Sequence, residues 1–428
     1  IPSQFLRSAA AQNSENGLNA EYFNNMQLTG RPFMTRIDRE VNFDWERGAP
    51  MPGVQTNHFS VRWSGWLVPP ETATYELGVT GDDGYRLYIN DKLVIDNWRD
   101  HAAETRRVSM ALQAGKRYRL RLEYYENGGL ASIRLGWLRP SDLREIHEQR
   151  QAEFRKAVEL ARHSEVTIFV GGISPRLEGE EMNVAVPGFR GGDRTNLQLP
   201  EPQKHLLREI VQTGKPVVLV LLSGSALAVN WAHQHIPAIL QAWYPGEEGG
   251  TAIADVLFGD DNPAGRLPIT FYRSVDQLPP FEDYAMQGRT YRYFSGKPLY
   301  PFGYGLSYSR FQYQNPRLSK TQLKPGESVE IEVEIQNTSQ RDGEEVAQLY
   351  LHGEKLRSTR LRKSLKRFRR VAIKAGERTT VSFRLNYDDF AHFGAQHRWE
   401  VTPGTYSITV GGNSEQGVTL PIQVVSAE

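Results

Sequence analysis

The sequence contains no cysteine among its 428 residues. Disulfide bonds, and zinc or iron sites with cysteine ligands, are therefore excluded. This absence does not decide the compartment, because exported bacterial proteins often fold without disulfides. The chain also lacks an initiator methionine and begins Ile1-Pro-Ser without a charged and then apolar signal region, which predicts an internal start, as in a fragment or a processed chain.

Long apolar runs and an excess of one charge are missing as well. No stretch approaches the ~20 apolar residues that a transmembrane helix needs. Lysine and arginine number 51 and aspartate and glutamate 50, which leaves a net charge of +1 and no basic stripe for nucleic acid. The basic stretch from Arg357 to Arg370 favours a solvated strand pair over contact with a polyanion or a membrane. We expect no nucleic-acid or membrane partner, and we favour a periplasmic or secreted location.

Three patterns divide the chain, which is too long for a single hydrophobic core. Short strands that alternate apolar and polar residues run from Gly17 to about Pro140 and predict an antiparallel β-sandwich. Strands then alternate with helices, beginning with a helix from Ser141 to His163, which predicts an α/β sandwich with a mostly parallel sheet. From Phe311 onward strands return without helices and predict an immunoglobulin-like β-sandwich. The predicted organisation is a tail or linker over residues 1–16, followed by domains over residues 17–140, 141–308 and 309–428.

Three glutamates follow a short apolar strand in the second of these domains. The segment from Val166 to Val170 ends in two glycines and is typical of a fully buried strand of an α/β sheet. Glu178, Glu180 and Glu181 come soon after it, and ligand sites in such sheets lie beyond the carboxyl ends of the strands. Because neighbouring carboxylates repel one another and burial disfavours their charge, one of them could keep a proton, as a general acid must. A solvated acidic loop is the alternative.

Seven motifs around and beyond this strand follow one another in a specific order. They are Val166 to Pro200, Thr213-Gly-Lys-Pro216, Ser223-Gly-Ser-Ala226, Ala242-Trp-Tyr-Pro-Gly-Glu247, Gly265-Arg-Leu-Pro268, Gly288-Arg-Thr-Tyr-Arg-Tyr293 and Tyr300-Pro-Phe-Gly-Tyr-Gly-Leu-Ser-Tyr308. As a set they resemble the second catalytic-site domain of glycoside hydrolase family 3. The resemblance implies that a TIM-barrel domain supplies an aspartate nucleophile and that a loop of the α/β sandwich supplies the glutamate acid/base.

Glu178 is our first choice for that acid/base, because it directly precedes Gly179 soon after the strand. Glu180 and Glu181 stay open as alternatives, since loop lengths vary here within the family. Arg176, at the start of the same run, is a candidate substrate-binding residue. The chain has neither the family's Ser/Thr-Asp-Trp nucleophile motif nor an eight-fold series of strands and helices, so the nucleophile is expected outside this chain, and the α/β domain is expected to be incomplete at its start.

The two β-sandwiches also resemble modules found in this family. The first carries Trp63-Ser-Gly-Trp66, Gly81-Asp-Asp-Gly84 and Val94-Ile-Asp-Asn-Trp98 and resembles a protective-antigen-type module that is inserted in some members, where it can overhang the active site. The last carries Leu365-Lys-Arg-Phe368 and Trp399-Glu-Val-Thr-Pro-Gly404 and resembles the fibronectin type III-like domain that closes many of these enzymes.

The tip of the first sandwich supplies further candidates for substrate binding, namely Asp82, Asp83, Trp98 and Arg99. Trp98 could stack on a sugar ring, or it could equally be a core residue. Asp82 and Asp83 could ligate Ca²⁺ together with other loop oxygens, as in related lectin sandwiches. An Asp-rich turn that caps its own backbone is favoured instead. We therefore assign no metal and no other cofactor.

These patterns together predict the C-terminal part of an exo-acting, retaining β-glycosidase, a β-glucosidase first and a β-xylosidase second. We expect it to be inactive without its N-terminal barrel segment, supplied in cis or as a second chain. The expected substrates are β-glucoside oligosaccharides or aryl glucosides, and a homodimer is left open. The competing class is a non-catalytic carbohydrate-binding protein built from a lectin-like sandwich and two scaffolds.

Overall fold

The computed structural model describes residues 1–8, 15–179, 184, 186–353, 361–394 and 397–426. The chain forms two compact units, Ile1–Arg155 and Lys156–Glu428, and the boundary between them falls within one long helix. Within the described ranges, no helix is both long enough and apolar enough to cross a membrane.

The first unit is a β-sandwich of two antiparallel sheets. Its strands are β1 (Leu6–Ser8), β2 (Leu18–Phe23), β3 (Met34–Asp38), β4 (Asn42–Glu46), β5 (Phe59–Leu67), β6 (Ala73–Asp82), β7 (Tyr85–Ile89), β8 (Lys92–Asn97), β9 (Glu104–Leu112), β10 (Tyr118–Glu126) and β11 (Ala131–Leu138). One sheet has the order β3-β2-β5-β10-β7-β8, with β1 paired to β5, and the other has the order β4-β11-β6-β9. Inward-facing side chains such as Trp63, Tyr75 and Leu122 are fully buried in a single core. The alternation of apolar and polar residues along these strands places the apolar set in that core.

The prediction of a tail over residues 1–16 is wrong for the part of that segment which the structure describes. Strand β1 pairs antiparallel with β5, and the side chain of Leu6 is fully buried in the core. The α-amino group of Ile1 donates a hydrogen bond to the carbonyl oxygen of Leu135 over 2.7 Å. A three-residue strand with one large apolar side chain gives no periodic signal, so its pairing could not be recognised locally.

The N-terminal part of the second unit is an α/β structure around a parallel sheet. Its elements are the C-terminal end of α1 (Pro140–His163), a helix that begins in the first unit, and then β12 (Thr167–Gly172), β13 (Phe189–Arg190), β14 (Asp193–Arg194), α2 (Glu201–Gln212), β15 (Val217–Leu222), α3 (Asn230–His235), β16 (Ala238–Gln241), α4 (Gly249–Phe258) and α5 (Thr290–Tyr293). Strands β12, β15 and β16 lie side by side in parallel register. Leu207 and Ile210 of α2 belong to the same buried cluster as Leu219 of β15. The predicted α/β sandwich with a parallel sheet is therefore present.

The continuous apolar sequence of strand β12 predicted that both of its faces would be buried. This prediction is wrong, because one face is exposed. The exposed fractions of Ile168 and Val170 are 47% and 58%. Phe169, which points to the opposite face, packs against the core cluster. Within the described sheet, β12 is an edge strand. An apolar run shows that a strand can be covered on both faces, but only the surrounding chain decides whether it is.

The rest of the second unit is an immunoglobulin-like β-sandwich. Its strands are β17 (Phe311–Leu318), β18 (Gln322–Leu323), β19 (Ser328–Asn337), β20 (Gly343–Gly353), β21 (Ser364–Ile373), β22 (Arg378–Asn386), β23 (His392–Phe393), β24 (Trp399–Glu400), β25 (Gly404–Gly411) and β26 (Val418–Val424). The sheets have the orders β17-β19-β22 and β18-β26-β25-β20-β21, and β23 pairs with β24. Val333, Leu349 and Ile408 are fully buried members of the core between the sheets.

A buried ion pair joins the two parts of the second unit. Arg266, in the loop after α4, donates through Nη2 to Oε2 of Glu345 on β20 over 2.8 Å. The Tyr313 hydroxyl donates to the other carboxylate oxygen of Glu345, also over 2.8 Å. The side chains of Arg266 and Glu345 are only 9% and 5% exposed. Such a pair fixes the loop and the sandwich in one geometry.

Candidate functional site

Three loops meet at the carboxyl edge of the parallel sheet. After β12 the chain turns, and the N–H of Glu178 donates to the carbonyl oxygen of Ser174 over 3.0 Å. Ser225 follows the end of β15, and Tyr244 follows the end of β16. Because neighbouring parallel strands end at the same edge, these three side chains come together although they are far apart in sequence.

Glu178 accepts a hydrogen bond at each of its carboxylate oxygens. Ser225 Oγ donates to Oε1 in a short contact, and the Tyr244 hydroxyl donates to Oε2 over 3.2 Å. The guanidinium of Arg194 lies behind Ser225: its Nη1 donates to Ser225 Oγ over 2.8 Å and to the carbonyl oxygen of Ala226 over 2.7 Å. The carboxylate is therefore held in one orientation by two donors, one of which is fixed by a cation.

Two glycines allow these groups to approach. A Cβ atom on Gly192, which has a φ of +89°, would lie 1.6 Å from the carbonyl oxygen of Gly179, so the tip of the β13–β14 hairpin rests directly on the residue after Glu178. A Cβ atom on Gly224 would lie 2.8 Å from the ring of Tyr244 and 3.5 Å from Oε2 of Glu178. The backbone thus leaves room for the hairpin and the tyrosine only where a side chain is absent.

Burial and the charge of Glu178 shift the pKa values of the neighbouring Tyr244 and Arg194 side chains. Burial raises the pKa of the Tyr244 phenol, and the charge of Glu178 and the hydrogen bond to it raise that pKa further. Burial lowers the pKa of Arg194, while the charge of Glu178 opposes this change. Arginine remains protonated in proteins, so a cation stands behind Ser225. The arrangement suits a carboxyl group that exchanges a proton with a ligand, since both its oxygens have defined partners.

Three other residues were predicted on this loop, namely Arg176, Glu180 and Glu181. Glu180 and Glu181 lie outside the described residues. Arg176 is exposed on the turn after β12. Sequence reasoning missed Ser225 and Tyr244 as hydrogen-bond partners of the carboxylate, and Arg194 as the cation that holds Ser225. The available signal was the position of Ser225 and Tyr244 just after the ends of two predicted strands, which would have placed both at the same edge as Glu178.

A second group of acidic side chains lies at one end of the first unit. Carboxylate oxygens of Asp82, Asp83 and Glu126 lie within 4.8 Å of one another. Asp83 accepts from the backbone N–H groups of His101, over 3.0 Å, and Asn127, over 2.9 Å, so it ties two other loops together. The predicted turn that caps its own backbone is therefore replaced, at Asp83, by contacts to distant loops.

Glu126 was not predicted as part of this group. It is fully buried, and its Oε1 has no hydrogen-bond partner among the residues that the structure describes, while Oε2 accepts from the Tyr124 hydroxyl over 2.9 Å. Burial raises the pKa of Glu126 to about 7, and the nearby charges of Asp83 and Asp82 act in the same direction. Burial, followed by the charge of Asp83, also raises the pKa of Asp82. A proton on Glu126 or a bound cation would offset the repulsion among the carboxylates of Asp82, Asp83 and Glu126.

Trp98 and Arg99 lie on the neighbouring loop of the first unit. Trp98 is half-buried, with the guanidinium of Arg86 3.9 Å from the ring centroid and the ring of Tyr125 4.7 Å away, edge to face. One face of the indole is thus already covered by a cation. Arg99 is exposed, and its Nη2 donates to Oε2 of Glu104 over 2.7 Å. Sugar binding by these two residues stays a prediction.

Two segments of the chain match known protein families. Residues 26–308 match the model of the glycosyl hydrolase family 3 C-terminal domain, which is more than half of the chain. The chain belongs to glycosyl hydrolase family 3. Residues 345–414 match the fibronectin type III-like domain, which confirms the resemblance stated for the last sandwich. The family 3 match begins within the first β-sandwich and ends at the last motif of the α/β part.

Individual relatives agree with this family and are longer than the chain. A xylan 1,4-β-xylosidase of Xylanibacter ruminicola is 35% identical over 93% of this chain and 45% of its own length. A periplasmic β-glucosidase of Salmonella typhimurium is 38% identical over 62% of this chain and 35% of its own length. The crystal structure of a β-glucosidase from Kluyveromyces marxianus matches 99% of this chain and 53% of its own with a TM-score of 0.62 and 25% identity. The chain therefore spans about half the length of such relatives, or less.

Proposed function

We propose that this chain carries the acid/base carboxylate of an exo-acting, retaining β-glycosidase, and that Glu178 is that group. The observation that supports it is the position of Glu178 at the carboxyl edge of the parallel sheet, with Ser225 and Tyr244 donating to its two oxygens. Glu180 and Glu181 remain alternatives on the same loop. We also propose that the first sandwich is a module of the protective-antigen type. A periplasmic or secreted location is likewise proposed.

The proposed reaction has two steps that use the same carboxyl group. In the first, Glu178 gives its proton to the glycosidic oxygen while an aspartate attacks the anomeric carbon and the leaving alcohol departs. In the second, the Glu178 carboxylate takes a proton from water, which attacks the glycosyl-aspartate and releases the sugar with its configuration retained. The two carboxyl groups must lie about 5 to 5.5 Å apart. We place the aspartate on a barrel segment outside this chain.

A β-glucosidase is our first assignment, and a β-xylosidase is the second candidate. The second is favoured by one specific comparison, because the relative that is 35% identical over 93% of this chain is a xylan 1,4-β-xylosidase. A β-glucosidase of Rhizobium radiobacter matches the same share of the chain with 29% identity. Glucosides and xylosides differ by the hydroxymethyl group at C5, so parallel assays with the two aryl glycosides separate the candidates.

Turnover should depend on the part of the protein that supplies the nucleophile. We expect the complete polypeptide to hydrolyse aryl β-glucosides or β-xylosides and to release the β-anomer first, as proton NMR of the early product would show. The 428-residue chain alone should show no turnover above buffer. Turnover by the chain alone, or first release of the α-anomer, would contradict the proposal. Sugar binding without turnover by the complete polypeptide would favour a non-catalytic carbohydrate-binding protein.

We infer further that Asp82, Asp83 and Glu126 fit a Ca²⁺ ion. Their carboxylate oxygens converge, and Glu126 Oε1, which is buried and has no hydrogen-bond partner in the described part of the chain, could serve as a ligand. Oxygen ligands of this type are those that Ca²⁺ prefers, and the ion would offset the repulsion between the three carboxylates. The alternative occupant is a proton on Glu126, because the pKa of that group is raised to about 7.

Calcium should then stabilise the first unit. With CaCl2 at about 100 times the dissociation constant, we expect its thermal midpoint to rise by about 5 to 10 °C relative to EDTA. Glu126→Gln should abolish the rise, whereas Asp96→Asn, which removes an exposed carboxylate from β8, should keep it. Equal midpoints of the unsubstituted chain in CaCl2 and EDTA would leave the proton as the occupant.

A further inference from the structure

The side chain of Ser225 lies between a cation and the proposed acid/base. Its oxygen accepts a hydrogen bond from Arg194 Nη1 over 2.8 Å, and its own hydrogen is directed to Oε1 of Glu178. The same arginine nitrogen donates to the carbonyl oxygen of Ala226, which fixes the guanidinium to the loop that carries Ser225. With its oxygen engaged by Arg194, the Ser225 hydroxyl presents its hydrogen to the carboxylate.

The arginine is held from the other side as well. Arg194 belongs to β14, and the hairpin of β13 and β14 rests on the carbonyl oxygen of Gly179 through Gly192. One short hairpin thus fixes both the backbone next to Glu178 and the cation behind its hydrogen-bond donor. The described charged or titratable groups that interact with Glu178 are Arg194 and Tyr244.

We propose that Ser225, oriented by Arg194, is a positioning residue that stabilises the Glu178 carboxylate as the proton leaves for the glycosidic oxygen. The proposal rests on the function proposed above for Glu178. When Glu178 gives up its proton it gains a negative charge, and the hydrogen bond from Ser225 becomes stronger as that charge develops.

Ser225→Ala in the complete polypeptide tests this inference. We expect kcat/KM for alkyl glycosides with poor leaving groups to fall about 10- to 100-fold, the loss typical of a hydrogen bond to a charged group. Activated aryl glycosides should lose much less, because their leaving groups need little protonation. The basic limb of the pH profile should move upward by about one pH unit, since a carboxylate without this donor holds its proton more firmly.

Two further variants serve as controls. Ser225→Thr keeps the hydroxyl and should restore both the rate and the basic limb. Ser223→Ala removes a buried hydroxyl group from the same turn. This hydroxyl donates to the carbonyl oxygen of Ser225 and accepts from Gln241, and neither of these hydrogen bonds involves Glu178. It should lower stability and leave the basic limb in place. The inference would be overturned if Ser225→Ala, like Ser223→Ala, lowered stability and left the basic limb in place.

A second measurement on the 428-residue chain separates this inference from the assignment of Glu178. With ¹³C-labelled glutamate, the Glu178 carboxyl signal is identified by its loss in Glu178→Gln, and its titration is followed by NMR. The titration midpoint should move to higher pH in Ser225→Ala and stay in Ser223→Ala. A moved midpoint beside an unchanged kinetic profile would support the Ser225 contact and reject Glu178 as the acid/base. An unmoved midpoint would reject the Ser225 contact itself.

Discussion

Glu178→Gln in the complete polypeptide is expected to lower kcat/KM for alkyl β-glycosides by about 10²- to 10⁴-fold, the usual contribution of general acid catalysis. Glutamine has the shape of glutamate but cannot supply the proton that a poor leaving group needs. Activated aryl glycosides should still form the glycosyl-enzyme, and its hydrolysis should become slow because no base activates water. Azide needs no base and should restore turnover, with a β-glycosyl azide as product.

The same measurements on Glu180→Gln and Glu181→Gln rank the three glutamates of the loop. Glu165→Gln removes an exposed carboxylate just before β12 and provides the matched control, for which full activity is expected. Azide rescue of the Glu180 or Glu181 variant, beside an unaffected Glu178 variant, would move the acid/base to that residue. Glu178 would then serve to anchor the loop through Ser225 and Tyr244.

Glu345→Leu is expected to lower the free energy of unfolding of the second unit by about 3 to 5 kcal/mol, because it leaves a buried arginine without its partner. Arg266 is 9% exposed, and the Tyr313 hydroxyl would lose its acceptor as well. Burial is the main cause of the raised pKa of the Tyr313 phenol, and the charge of Glu345 and the hydrogen bond to it raise that pKa further. Urea unfolding of the variant, followed by circular dichroism, measures the loss.

The neighbouring residue provides the matched control for this ion pair. Glu344 pairs with Arg370, but these side chains are 37% and 59% exposed, so Glu344→Gln should cost no more than about 1 kcal/mol. The double variant Arg266→Met, Glu345→Leu should regain much of the lost stability, because no charge is then left buried and unpaired. Equal losses from Glu344→Gln and Glu345→Leu would contradict the importance given to the buried pair.

Much of the architecture could be predicted from local patterns in the sequence. Period-two alternation predicted the first β-sandwich, and a series of strands without helices predicted the last one. The helix expected from Ser141 to His163 is present as Pro140–His163. The strand before the acidic loop was also found, as Thr167–Gly172. These features follow from side-chain spacing and from glycines at strand ends, which act over a few residues. The position of Glu178 beyond a strand of a parallel sheet was predictable for the same reason.

Contacts between distant segments were decided only by the tertiary structure. Ser225 and Tyr244 lie 47 and 66 residues after Glu178, and nothing in the loop sequence shows that their hydroxyl groups reach its carboxylate. Glu126 joins Asp83 only because β10 and the end of β6 come together in the folded sandwich. Strand β1, assigned to a tail, and the exposed face of β12 are further cases. A local pattern records which face of an element is apolar, whereas the partner of that face is set by chain packing over long sequence separations.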